Sequence, residues 1–151
     1  MPALDEYQPI GTTEGLNFAS PTERCVPTQK SQLSHAVCDS ILERKIVAKL
    51  EELDSVDTWV KNHRLFLEIP YMYMGSNHQY RPDFIVRLNT GLQVLVEGKG
   101  VADEKDDSKA TAARRWVQAV NTWGELGDWA HIVCYDATSL ENQLSELLIT
   151  L

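Results

Sequence analysis

The stretch Tyr80-Arg81-Pro82-Asp83-Phe84-Ile85-Val86-Arg87-Leu88-Asn89-Thr90-Gly91-Leu92-Gln93-Val94-Leu95-Val96-Glu97-Gly98-Lys99 decides how this chain folds. Two runs of strand character, Asp83 to Leu88 and Leu92 to Gly98, flank the compact turn signal Asn89-Thr90-Gly91, so they are expected to be antiparallel neighbours. Side chains alternate faces along a strand. Asp83 therefore shares a face with Ile85 and Arg87, while Phe84, Val86 and Leu88 point the other way. Pro82 suits the start of its strand, where a missing N–H is tolerated. Val94-Leu95-Val96 is apolar on both faces, the pattern of a central strand, and it ends in Glu97-Gly98-Lys99, which places Glu97 and Lys99 on one face.

Upstream, positions 1–30 are rich in Pro, Thr, Ser and Glu without a helical or alternating apolar period, and read as a flexible tail or linker ahead of a domain over 31–151. Folding is expected to begin near Ser34. From there to about Leu53, Val37, Ile41, Ile46 or Val47, and Leu50 recur at helical spacing, which predicts an amphipathic first helix. VDTWV and LFLEIPYMY read as further strands, so the four consecutive strands suggest a meander. Downstream, Ala113, Trp116 or Val117, and Val120 form one stripe of a helix from about Ser108 to Trp123, with Gly124 as its stop. WAHIVCY reads as a buried strand and Ser139 to Ile149 as a last helix. The predicted order is α-β-β-β-β-α-β-α.

The 151 residues fit one domain, and 43% hydrophobic with 24% charged residues favours a folded globular protein over a disordered one. No stretch approaches the roughly 18 apolar residues that span a bilayer, and MPALDEYQPI lacks the basic and apolar regions of a signal peptide, so a cytoplasmic protein without membrane association is expected. Cys25, Cys38 and Cys134 are odd in number and widely spaced, which argues against a disulfide framework or zinc knuckle. The net charge of -8 weighs against phosphate binding, but every Lys and Arg lies at or before Arg115, so a basic and an acidic face can coexist.

Asp83, Glu97 and Lys99 are costly to bury unpaired, so their convergence beside a central strand calls for mutual pairing or a bound ion. Two carboxylates on adjacent strands make an oxygen-donor site suited to Mg²⁺, with Mn²⁺ as a substitute. Lys99 can orient an attacking water or assist its deprotonation, and Gly98 lets backbone approach closely. This arrangement suits phosphodiester hydrolysis. A structural ion-pair cluster is the alternative. The acidic-x-Lys tripeptide occurs four times, at Glu43, Glu97, Asp103 and Asp107, and only the copy at Glu97 ends a buried strand preceded by a Pro-Asp strand and a turn.

At these residues the chain resembles the PD-(D/E)xK nuclease superfamily, and more closely the C-terminal nuclease domain of type III restriction endonuclease Res subunits and related helicase-linked nucleases. The resemblance runs from about Lys30 to Tyr135. It takes in KSQLSHAVCDS, VKN, IPY, Tyr80 to Val86, Val96 to Gly100, Arg115-Trp116-Val117, Ala119-Val120-Asn121 and Gly127-Asp128-Trp129. It implies a restriction-endonuclease-like α/β fold with a central mixed sheet flanked by helices, and Mg²⁺-dependent DNA cleavage leaving 5′-phosphates. It further implies a helicase or translocase motor elsewhere in the parent protein, to which 1–30 would be the linker, and possible association with a modification methyltransferase. No phosphate-loop motif is present, so ATP hydrolysis is not expected of this chain. The resemblance carries over Asp83 and Glu97 as metal ligands, the Gly98 carbonyl as a further ligand, Lys99 as the catalytic lysine, and Glu43 as a helical carboxylate completing the metal site. Relatives commonly have an aromatic residue where this chain has Leu42.

Lys109, at the start of the helix after the catalytic strand, can hold a DNA phosphate or be a solvated surface lysine. Of Arg114 and Arg115, one is expected to face solvent or DNA and the other to lie along the Trp116 stripe. Arg81 and Arg87 flank Asp83 and can contact phosphate or balance carboxylate charge. The four histidines show no metal-ligand spacing, and Asp103, Glu104, Asp106 and Asp107 fit a solvated loop and helix N-terminus. Beside the nuclease stands a second function, a latent or inactive DNA-contact or docking module of a helicase.

Overall fold

In the computed structural model, which describes residues 13–14, 16–65 and 67–150, Cys25–Pro27 (β1) and His35–Val37 (β2) pair antiparallel. Ordered structure therefore begins ahead of Ser34. The expected boundary after residue 30 falls between contacts that tie Lys30 to the rest of the chain: its N–H donates to Glu51, its ammonium lies 2.6 Å from the Leu53 carbonyl, and its own carbonyl accepts from Thr58. The tail reading for 1–12 falls outside the described residues.

The first helix, α1, runs Ile41–Glu52 and not from Ser34. Ser40 accepts from the Glu43 N–H while the Glu43 side chain accepts from the Ser40 N–H, a capping box that sets the start. Val37, which matches the helical stripe in sequence, is instead buried in β2, and Ile41 is 74% exposed.

Six strands and two helices follow in the order β3 (Val56–Lys61), β4 (Ile69–Tyr73), β5 (Ser76–Tyr80), β6 (Phe84–Leu88), β7 (Gln93–Gly98), α2 (Asp106–Trp123), β8 (Trp129–Cys134) and α3 (Leu140–Thr150). The main sheet has the order β3-β6-β7-β8, with β3, β6 and β7 antiparallel in turn and β8 parallel to β7. It is a mixed sheet in a mixed α/β protein. The expected meander is replaced by a direct β3–β6 pairing, while β4 and β5 form a separate hairpin. The expected strand LFLEIPYMY begins only at Ile69. As predicted, Gly91 turns β6 into β7 at φ 90°, a left-handed conformation that glycine adopts without penalty. Gly124 ends α2 at φ 79° in the same way.

Alternation on β7 divides the core. Val94 and Val96 join the cluster built with Ile46, Leu50, Leu140 and Leu144 of α1 and α3. Leu95 joins Ile69, Tyr71, Tyr80 and Ala113, on the side of α2 and the hairpin. All three central residues are fully buried, and each contributes roughly 1.5–3 kcal/mol of transfer free energy. No described helix is long and apolar enough to cross a membrane.

Candidate active site

Phe84 faces Val96 across the antiparallel pair, so Asp83, one residue before β6, lies across from Glu97 near the end of β7. Asp83 is fixed from several directions. Its carbonyl accepts from the Asn62 N–H at 2.8 Å, and its Oδ2 accepts from the Gly98 N–H at 2.8 Å. Its Oδ1 lies 3.5 Å from the ammonium of Lys61, the last residue of β3. Lys61 reaches Glu43 Oε1 at 3.0 Å and sits 5.3 Å from the centroid of the Phe84 ring. At 8% exposure this lysine needs its anions, because an unpaired buried charge costs several kcal/mol. Burial alone would release its proton, but Asp83 and then Glu43 hold it there and push its pKa up.

Glu43 has both oxygens engaged. Oε1 accepts from Lys61, and Oε2 accepts from the backbone N–H groups of Asp39 and Ser40. The Asp83 carboxyl is nevertheless pushed up, since burial outweighs the attraction of Lys61 and the Gly98 N–H.

Of Glu43, Asp83 and Glu97, it is Glu97 that has the fewest partners among the described residues. Its Oε2 accepts from the Tyr80 hydroxyl at 3.2 Å, and among the described residues no cation stands within salt-bridge distance of it. Burial first, and the charge of Asp83 second, push its pKa from 4.5 to about 7. The Tyr80 oxygen also lies 3.0 Å from His131 Nε2 on β8. Burial, helped by the charge of Arg114, lowers His131 to about 4, so a neutral imidazole with its proton on Nε2 is consistent with Tyr80 donating to Glu97.

Lys99 lines the same small cleft, of about 90 Å³, with Glu97, Tyr80 and Lys109. Its ammonium is drawn to the loop beyond, 2.8 Å from Asp106 Oδ1 and 3.0 Å from Asp103 Oδ2. Burial opposes the charge, but hydrogen bonds to Asp106 and Asp103 prevail and push its pKa up, so Lys99 is a firm ammonium here and not a base. Lys109 lies 3.6 Å from Asp103. The other two residues expected at DNA do not line this cleft: Arg81 bonds Glu68 at 2.7 Å, and Arg114 bonds Thr111 on its own helix at 3.2 Å. Arg87 is exposed. Trp116 packs edge-on to Trp129 with centroids 5.2 Å apart, as scaffold rather than as a stacking surface.

Asp83 and Glu97 offer hard oxygen donors that burial leaves poorly compensated, and a divalent cation would supply the missing charge. Among the described residues no group of three or more His, Cys, Asp or Glu is placed to hold a metal ion. A cation here would rest on two carboxylates, with a backbone carbonyl or waters completing its shell, as Mg²⁺ tolerates. A wider groove of about 1000 Å³ between the β4–β5 hairpin and α2 contains neither carboxylate.

Sequence reasoning gave Lys61, Tyr80 and His131 no role. Lys61 carried a readable signal, a lysine continuing the apolar run Trp59-Val60 at a strand end, where burial would oblige it to find anions. The Tyr80–His131 contact joins residues 51 apart, and nothing local announces it. No family model matches the chain, and no curated protein matches it in a sequence search.

Proposed function

We propose that this chain is a Mg²⁺-dependent endodeoxyribonuclease domain of the PD-(D/E)xK type with a restriction-endonuclease-like fold, the nuclease part of a type III restriction enzyme Res subunit or a similar helicase-linked nuclease. The observation that carries this reading is the pair of partly buried carboxylates, Asp83 and Glu97, held side by side at the end of a central strand with Lys99 in the same cleft. Asp83, Glu97 and the Gly98 carbonyl would hold the cation. When bound, Mg²⁺ would neutralise charge developing on the phosphate and lower the pKa of the attacking water. Asp83 is pre-positioned for this by the Gly98 N–H and Lys61, and Glu97 by the Tyr80 hydroxyl. Lys99, fully protonated, donates to the scissile phosphate or orients the water once that phosphate displaces Asp103 and Asp106. Lys109 lines the same cleft, where it can take a flanking phosphate.

The test is cleavage of plasmid DNA with Mg²⁺ by the parent chain, Asp83→Ala and Glu97→Gln, each checked for folding. Loss of several kcal/mol of charge stabilisation predicts a drop of about 100-fold or more in both variants. Cleavage by a folded Asp83→Ala at the parental rate sinks the proposal. One observation favours the second reading, a latent DNA-contact or docking module: the ion pairs that engage Lys99 and Lys109 with Asp103 and Asp106. Activity that emerges only with a motor subunit attached would mark latency, and absence of any cation binding would favour the docking module.

A further inference from the structure

Lys61 brings a positive charge into the acidic centre from a strand that supplies none of the proposed ligands. Its ammonium lies between Glu43 Oε1 at 3.0 Å and Asp83 Oδ1 at 3.5 Å, and its side chain is 9% exposed, against 12% and 20% for its partners. The hydrogen bonds form a chain from α1 through β3 to β7: the α1 capping box holds Glu43, Glu43 holds Lys61, Lys61 holds Asp83 just ahead of β6, and Asp83 accepts from Gly98 on β7. The oxygens facing β3 are thereby satisfied. On the other side, among the described residues Glu97 meets only the neutral Tyr80 hydroxyl at close range, and Asp83 Oδ2 carries one hydrogen bond out of the two it can accept. The centre is asymmetric, with a cation built into one half and compensation lacking in the other.

We infer that Lys61 fills a cation position of this centre, so that the site takes one divalent ion, between Asp83 and Glu97, and Glu43 acts from outside the coordination shell by holding Lys61. This rests on the metal-dependent reading above. Two divalent ions plus a buried ammonium would crowd five positive charges around three carboxylates, whereas one ion plus Lys61 brings three against three. Lys61 is accordingly a positioning residue for Asp83, and it limits the number of metal ions.

The experiment counts Mn²⁺ bound per chain by electron paramagnetic resonance of the free ion and by calorimetry, on the parent chain, Lys61→Arg and Lys61→Met. One ion per chain is expected for the parent and for Lys61→Arg, which keeps the charge. Lys61→Met should bind two, since Glu43 and Asp83 then need a replacement cation. Two ions on the parent would overturn the inference and leave the metal-dependent reading intact, whereas no binding at all would remove both. A folded Lys61→Met that still binds one ion reduces Lys61 to a structural tie and also overturns it. Should Lys61→Met not fold, the parental count decides alone.

Discussion

Burial and the charge of Asp83 hold a proton on Glu97 up to about pH 7, against 4.5 ordinarily, and the sign of the resulting stability change follows directly. Between those two values the folded protein binds more protons at this site than the unfolded chain does. The contribution of Glu97 therefore favours the fold at low pH, falls as pH rises through this window and is flat above about 7. His131, lowered to about 4, contributes in the opposite direction as its unfolded form loses its proton near 6.5. The measurement is thus a difference: urea unfolding of the metal-free parent against Glu97→Gln from pH 4.5 to 7.5. Relative to the variant, the parent should lose stability as pH rises, and a parent that gains would show that Glu97 is not protonated in the fold. On the metal-dependent reading proposed above, added Mg²⁺ should reverse the loss. Its affinity should tighten up to tenfold per pH unit below about 7, because it competes with that proton, and at a concentration of 100 Kd it returns about 2.7 kcal/mol.

At Gly98 the side chain of Ile46 on α1 packs closely against β7. A Cβ built on Gly98 would lie 2.8 Å from Ile46 Cδ1 and 3.5 Å from Asp83 Oδ2. Gly98→Ala should destabilise by about 1–3 kcal/mol through overpacking. Ile46→Val removes the obstructing carbon at a cost of about 0.5–1.5 kcal/mol, so the double variant should be more stable than the sum of the singles. Additive losses in thermal or urea unfolding would mean that the two side chains do not compete for space. The apolar run that made β7 central and the turn at Gly91 were legible in the sequence, because each rests on residue type at one position or on a short period, whereas the packing of Ile46 on Gly98 depends on where α1 docks. The β4–β5 hairpin was not legible as two strands. Ser76–Tyr80 is polar and mostly exposed, and its turn uses Met74 and Gly75 at positive φ, without the Asn-Gly or Asp-Gly signal. The three-residue strands of β1 and β2 are too short to show a period, and Val37 happened to continue the stripe of α1. Asp83, Glu97 and Lys99 were legible as a group from strand alternation, but their partners Lys61, Tyr80 and His131 come from other strands and depend on a topology that the expected meander lacked.

Over the whole molecule, on the nuclease reading proposed above, a net charge of -8 opposes DNA, and two sources of negative charge can be separated by where they act. Asp103 and Asp106 pair with the cations of the cleft, whereas Glu141 and Glu146 are exposed on α3, which packs against the opposite face of the sheet from α2. Replacing Glu141 and Glu146 by Lys changes the net charge from -8 to -4, two units per substitution. That field is screened within roughly 8 Å at physiological ionic strength, so the gain should be in weak, non-specific affinity with no change in cleavage rate at saturating DNA. Asp103→Asn with Asp106→Asn changes the net charge by only half as much but releases Lys99 and Lys109. DNA affinity, read by fluorescence anisotropy, should rise and the slope of log K against log salt should steepen by about 0.9 for each lysine that gains a phosphate. Cleavage should rise with it. If the α3 variant accelerates cleavage as much as the loop variant, the overall field limits the protein, and the pairing of Lys99 with Asp103 and Asp106 is only a solvated loop contact.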